Sequence, residues 1–330
     1  GADGGAGRTA AAAGAATARI VGVGRAGIRL LLTQPSIEDH PGSAYLDRHG
    51  PGVADIALRV PNATAAFTEA VRRGARPVAA PTRDGDVVTA TIMGFGDVVH
   101  TFVERAPWLD QRSLPGLAPV VASTADGLPQ PGLSTIDHFA VCVEPGQIDR
   151  TVEFYRHTLD LELTFAERIS VGTQAITTKV VQSRTGTLTL TLVEPDPTGD
   201  AGHVDEFLKQ HGGPGVQHIA FSADSIVTAV RAAAARGVDF LATPAAYYER
   251  LPDRVTLASY SVAELRGLNV LVDADHDGQL FQIFTRSAHP RNTLFFELIE
   301  RLGARSFGSG NITALYQAVE STRDRQPTGS

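Results

Sequence analysis

The chain has 330 residues, a formal net charge of −7, 43% hydrophobic residues and 20% charged ones. That is room for two ordinary domains or one duplicated one, while the acidic balance speaks against nucleic-acid binding and no apolar run reaches the roughly 18–20 residues of a membrane span. A single cysteine, Cys142, excludes an internal disulfide and predicts a reducing, cytoplasmic setting.

In chain order, residues 1–20 (GADGGAGRTAAAAGAATARI) lack a basic start and a Leu/Val-rich stretch. They read as a flexible Gly/Ala tract rather than a secretory leader. Residues 22–27, GVGRAG, satisfy the Gly-x-Gly-x-x-Gly dinucleotide pattern, which needs a helix start directly after it. A strand-like IRLLLTQPS (28–36) follows instead, so nucleotide binding is set aside.

From here the chain repeats itself. IRLLLTQPS resembles LTLTLVEPD (188–196), and SAYLDRHGPGVADIALRV (43–60) resembles VDEFLKQHGGPGVQHIAFSA (204–223). NATAAFTEAVRRGARPV (62–78) resembles SIVTAVRAAAARGVDFL (225–241). The last pair read as helices, with Phe67/Val71 and Ile226/Val230 at helical spacing and a stop at Gly74 or Gly237. Each copy is expected to close on a strand, GDVVHTFVER (96–105) or GQLFQIFTR (278–286). The second copy also has a front: a strand over 134–143, a helix over 146–162 and a strand over 175–183. The first copy lacks the corresponding first strand and helix. The expected fold class is therefore α+β, with tandem β-α-β-β-β modules.

Of the ten histidines, His40, His157, His276 and His289 fall in polar stretches. His138 (TIDHFAV) and His218 (GVQHIAF) instead lie inside apolar strands of one module. A lone strand histidine is commonly a hydrogen-bonded core residue. Two in equivalent contexts, with Asp55 at the second position in the other copy, suggest a ligand pair. Glu297, in NTLFFELIER (292–301), is costly to bury unless paired or metal-bound; this segment alone equally fits a solvent-facing Glu on an edge strand. Together His138, His218 and Glu297 make a 2-His-1-carboxylate set. Such a set suits non-haem Fe(II) and leaves positions open for substrate and O2. The expected organisation is an N-terminal module over 1–111, its front part missing and its metal ligands lost, a Pro/Gly-rich linker over 112–133, and a C-terminal catalytic module over 134–330.

These residues, with GVQHIAF, TPAAYYERL, LVDADHDGQLFQIFTR and NTLFFELIERLGARSFGSGNITALYQAVE, resemble the 4-hydroxyphenylpyruvate dioxygenase family of the vicinal-oxygen-chelate superfamily. The resemblance spans about 28–105 and 134–321. It implies two curved mixed-sheet open barrels with a C-terminal helix over the active site, and Fe(II) on His138, His218 and Glu297 as the sole cofactor. It further implies 4-hydroxyphenylpyruvate and O2 as partners, with no nucleic acid or membrane, and is compatible with a homodimer. The keto acid doubles as reductant and loses CO2.

Two products arise in that family: homogentisate by ring hydroxylation, or 4-hydroxymandelate by benzylic hydroxylation. The dioxygenase pattern Pro-Leu-Asn-Glu-Pro reads TLVEP (191–195) here, so Thr191 stands for Pro and Val193 for Asn. Its Gly-Asn-Phe reads GNI, so Ile312 stands for Phe. The ring end gains room and loses an amide. The resemblance thus implies 4-hydroxymandelate, in the setting of hydroxyphenylglycine supply for a peptide antibiotic. Homogentisate is the alternative, and a non-catalytic aromatic-ligand binder of the same fold the second. Pocket roles are also implied for Thr178 at a serine position, His203 at a glutamine position, Gln217, Gln282, Phe284, Phe307 and Asn311. Finally, GSGNITALYQAVEST (308–322) has Asn311 as a helix cap and Ile312, Leu315, Tyr316 and Val319 at helical spacing. This predicts a lid helix that sets Ile312 against the substrate ring.

Overall fold

The computed structural model describes residues 7–11, 17–109, 117–120, 127–308 and 310–311. The N-terminal half contains β1 (Gly7–Ala11), β2 (Ala18–Arg25), β3 (Ile28–Pro35), α1 (Pro41–His49), β4 (Leu58–Arg59), α2 (Ala63–Arg72), β5 (Pro77–Asp84), β6 (Val87–Met93), β7 (Val99–Arg105) and β8 (Leu117–Val120). Next come β9 (Leu133–Cys142), α3 (Ile148–Leu159), β10 (Glu162–Val171), β11 (Gln174–Gln182), β12 (Thr189–Pro195) and α4 (His203–His211). The remainder is β13 (Gly215–Ala223), α5 (Ile226–Ala234), α6 (Ala245–Arg254), α7 (Val262–Gly267), β14 (Leu271–Ala274), β15 (Gln279–Phe284) and β16 (Phe295–Leu302).

An eight-stranded sheet has the order β10-β11-β12-β9-β13-β16-β15-β14. It holds the strand–helix–three-strand unit twice: β9-α3-β10-β11-β12 and β13-α5-β14-β15-β16. In each copy the first strand lies parallel to the last, and antiparallel β9–β13 joins the two copies. A parallel pair cannot be joined by a tight turn, which is why a helix-bearing crossover follows β9 and β13. The unit recurs as β4-α2-β5-β6-β7, in a four-stranded sheet of order β4-β7-β6-β5; β3-β2-β1-β8 forms another. This α+β architecture of tandem units agrees with the sequence expectation.

Local chemistry sets the helix ends. The Asn62 side chain accepts from Ala65 N at the start of α2, and Ser225 does the same for Thr228 N at α5. Asp160, at φ 53°, stops α3 in a left-handed conformation that aspartate tolerates. The apolar stripes of α3 (Ile148, Val152, Tyr155) and α5 (Ile226, Ala229, Val230) then cover the convex face of the eight-stranded sheet. They pack with Val141, Val181, Leu190, Leu192, Ile219 and Leu298. Leu190 is fully buried there, and its truncation to Ala is worth about 2–5 kcal/mol. Ile56, Phe95 and Val98 of the N-terminal half enter the same core. A buried polar bond also spans the halves: the Tyr155 hydroxyl donates to His100 Nε2 at 2.7 Å. His100 Nδ1 faces the Ile56 carbonyl at 3.2 Å, and a carbonyl can only accept, so the proton sits on Nδ1.

Three expectations change. Within the supposed flexible tract, residues 7–11 form β1, paired on both sides with β2 and β8, and β2 begins at Ala18. Pairing along two edges satisfies a backbone whose small side chains carry little strand signal. Inside the expected linker, 117–120 is β8, and Leu133 already belongs to β9. The repeat also runs one strand out of step with the sequence match. Sheet order makes β7 the counterpart of β16, and β6 that of β15, so 96–105 corresponds to 295–302 rather than 278–286. Residues 22–27 run from β2 into the turn before β3, as the dismissal of nucleotide binding requires. The expected C-terminal helix and Ile312 lie outside the described residues, apart from 308 and 310–311.

Candidate metal centre

With the convex face given to the core, the concave face is left for polar chemistry. Alternation along the strands selects what points there. His138 on β9 pairs with Ala220 on β13, and Ala220 with Glu297 on β16; His218 pairs with Ala140. Three neighbouring strands thus bring His138, His218 and Glu297 to one spot. Ligand-type atoms from all three lie within 4.8 Å of one another.

The geometry suits a divalent ion. Nε2 of His138 and Nε2 of His218 stand 3.4 Å and 3.3 Å from the same Glu297 oxygen, Oε2. Bonds of about 2.1 Å on one face of an octahedron separate neighbouring ligand atoms by about 3 Å. His138 and Glu297 are buried. His138 Nδ1 is 2.8 Å from Asp137 Oδ1, which fixes the proton on Nδ1 and leaves Nε2 for the ion. Burial disfavours the His138 cation, yet the Asp137 and Glu297 carboxylates outweigh it and push its pKa up to about 9. Burial likewise opposes the Glu297 carboxylate, but both histidines pull it down to about 2. For His218 burial prevails and its pKa is lowered. Without an ion, the three side chains form a mutually polarised cluster of the kind a cation would bind.

Aromatic rings wall this spot. The Phe307 ring lies 5.3 Å from that of His138, and Phe295 and Phe284 lie 4.9 Å and 5.7 Å from His218. Phe165 on β10 reaches Phe307 at 6.1 Å, so the curled sheet closes back on the centre.

Of the residues expected around the substrate, Thr178, Thr191 and Val193 fall on the concave rows of β11 and β12. Val193 packs with Ile176 on the Cys142, Val204, Phe207 and Leu208 cluster beneath α4. Gln282 and Phe284 alternate inward on β15, opposite Ile299 and Glu297. Gln217 is buried beside His218, at a bulge between Val216 and His218. His203 opens α4 and reaches solvent, while the protein around it and the His218 ring disfavour its charged form. Asn311 sits farther back, its Oδ1 accepting from the Tyr247 hydroxyl at 2.7 Å. Among the described residues, Thr191 Oγ1, Gln282 Oε1, Glu167 Oε2, Ser306 Oγ and Asn311 Nδ2 are buried without a hydrogen-bond partner. Unmet polar atoms such as those of Thr191 and Gln282, on the face that carries the aromatic-walled triad, are what a polar ligand would satisfy.

Three residues escaped the sequence reading. Asp137, directly before His138, carried a usable signal, an acid beside a strand histidine. Arg301, which grips Asp137 through Nε and Nη2 at 2.9 Å each, is 164 positions away and carried none. Glu167 lies in ELTFAERISV, where charges on both strand faces hide the inward one.

Residues 16–115 match the family described as Hydroxyphenylpyruvate dioxygenase, HPPD, N-terminal, and residues 135–283 match the Glyoxalase/Bleomycin resistance protein/Dioxygenase superfamily. The chain is 32% identical over 291 residues to the 4-hydroxyphenylpyruvate dioxygenase of Yarrowia lipolytica, covering 84% of this chain and 74% of that one. The 4-hydroxyphenylpyruvate dioxygenase of Dictyostelium discoideum is 32% identical over 308 residues, covering 89% and 84%. A solved structure of a mutant 4-hydroxymandelate synthase from Streptomyces coelicolor is 41% identical, covers 96% of this chain and 91% of its own, and superposes with a TM-score of 0.82.

Proposed function

Since the chain belongs to the 4-hydroxyphenylpyruvate dioxygenase family of non-haem Fe(II) dioxygenases, we propose that it converts 4-hydroxyphenylpyruvate and O2 to 4-hydroxymandelate and CO2. The carboxyl group of the keto acid leaves as CO2. One oxygen atom of O2 completes a new carboxylate on the former keto carbon, and the other becomes the benzylic hydroxyl. The keto acid supplies the electrons that this requires.

Fe(II) bound by His138, His218 and Glu297 supplies O2 activation and a seat for the keto acid. Everything else is the work of the chain. Asp137 holds the His138 proton away from the ion. Phe284, Phe295 and Phe307 exclude water and bracket the ring. Gln282 and Thr191 offer unpartnered oxygens to the polar groups of the substrate. We assign catalysis to the half beyond residue 134, support to the half before 111, and a cytoplasmic setting in keeping with the free, buried Cys142 thiol.

The observation that carries the benzylic reading is the 41% identity to a 4-hydroxymandelate synthase across nearly the whole of both chains, against 32% for the named dioxygenases. Val193 supports it: a valine at this concave-face position supplies no amide to hold the polar end of a ring. Ring hydroxylation to homogentisate is the second reading, favoured by the names of the curated relatives. The two products are isomers, so mass alone does not separate them. Chromatography against authentic standards, after anaerobic Fe(II) loading and admission of O2, decides. Homogentisate as the main product would overturn the benzylic reading. If that reading holds, Ile312→Phe and Val193→Asn shift the product ratio towards ring-hydroxylated species.

A further inference from the structure

We infer that Arg301 couples occupancy of the metal centre to the backbone segment 304–307 that walls it, so that ion binding and placement of the Phe307 wall are one event. β16 carries Glu297 and, four residues on and on the same face, Arg301. The Arg301 guanidinium is used on every side. Nε and Nη2 donate to Asp137 Oδ2 and Oδ1, each at 2.9 Å. Nη1 donates to the carbonyls of Ala304 at 3.2 Å and Ser306 at 2.6 Å. The guanidinium carbon lies 4.9 Å from the centre of the Phe307 ring.

These contacts close a circuit. Asp137 holds His138 Nδ1 at 2.8 Å, a register shift in β9–β13 having turned Asp137 and His138 to serve one site. Phe307 returns to the His138 ring at 5.3 Å. From the opposite side the segment is fixed by Asp275, which accepts from the backbone N–H groups of Arg305 and Ser306 at 2.7 Å each. Any turn of the His138 ring towards an ion therefore moves Asp137, Arg301 and the Ala304 and Ser306 carbonyls together. Linkage is reciprocal: if the ion orders the segment, the segment must strengthen the ion by the same factor. A lysine could not replace this arginine, because one ammonium cannot hold a carboxylate by two points, two carbonyls and a ring face at once.

Full-length, metal-free protein titrated with Co(II) tests the inference without turnover, so the result stands apart from which product is made. In the parent protein, Co(II) should slow hydrogen–deuterium exchange in residues 303–308. In Arg301→Lys, Co(II) affinity should fall by about 10- to 100-fold, as for loss of a residue supporting a ligand. At saturating Co(II) the exchange of 303–308 should no longer respond. An unchanged affinity, or a segment that still responds as in the parent, overturns the inference. Should Arg301→Lys fail to fold, Phe307→Leu gives the reverse arm. It supplies no ligand atom, yet reciprocity requires weaker Co(II) binding; an unaltered isotherm there overturns the inference as well.

Discussion

Asp55 and His218 occupy the same place in two copies of one unit. Asp55 bridges Val99 in parallel as His218 pairs with Phe295, and two residues on Thr101 stands where the other copy has Glu297. In the N-terminal copy the two side chains satisfy one another. Asp55 accepts from Thr101 N at 3.1 Å and Thr101 Oγ1 at 2.6 Å, and Thr101 meets Thr91 at 3.0 Å. In the C-terminal copy His218 and Glu297 instead converge with a third ligand from β9. β4, by contrast, is the edge of its sheet among the described residues. Polarity at a fixed register position is thus compatible with two outcomes. A donor–acceptor pair closes on itself, whereas a buried set of ligand-type atoms converging on one point can hold a cation.

The largest expected effect follows from breaking the open set. His218→Ala or Glu297→Gln should lower turnover by about a thousandfold or more, since one metal-generated reactant is lost entirely. Co(II) binding should vanish while far-UV circular dichroism stays native-like; retained binding would contradict the ligand assignment. Next in size is an acid weakness that belongs to the N-terminal half. Burial lowers the pKa of His100 to about 4. A histidine depressed in the folded state contributes fully above its unfolded pKa, near 6.5, and loses that contribution as pH falls through 6.5 towards 4. For His100 the loss is about 3 kcal/mol by the lower end of that window. Urea melts at pH 7 and pH 4.5 should show it, and His100→Gln should show a smaller change between the two. Asp55→Ala should cost only about 1 kcal/mol of stability, the ordinary worth of its bonds to Thr101, with turnover within about twofold of the parent. The smallest effect sharpens the comparison most. The double variant Asp55→His, Thr101→Glu should bind no second ion, because among the described residues no strand pairs with the other edge of β4 to bring a third ligand; Co(II) stoichiometry by calorimetry checks it.

The triad was legible because burial leaves a signature in sequence. A histidine between Asp137 and Phe139, or between Gln217 and Ile219, stands out against its apolar strand, and Glu297 against Phe295 and Phe296 before it and Leu298 after it. Helices with Phe67/Val71 or Ile226/Val230 at helical spacing and a Gly stop were legible for the same local reasons, whereas their Asn62 and Ser225 caps emerge only in the structure. The strand pairing was not. VVTATIM and VHTFVER both read as half-buried strands of seven residues, and only sheet order separates the counterpart of β15 from that of β16. Nor was the support around His138, since the Arg301–Asp137 pair depends on two strands meeting across β13. Glu167 needed the curl of the sheet: until β10 folds back to Phe307, its inward row looks like any solvated edge.

The ligands come from both sides of the β9–β13 seam, His138 from one four-stranded copy and His218 and Glu297 from the other. An ion held there would therefore also be a rivet between two leaves of the sheet. Each tenfold rise in free ion above its dissociation constant adds about 1.4 kcal/mol to the folded state. A chelator should then lower the melting temperature as well as stop the chemistry. Protein stripped of the ion should then also be cut faster by an added protease than the loaded protein.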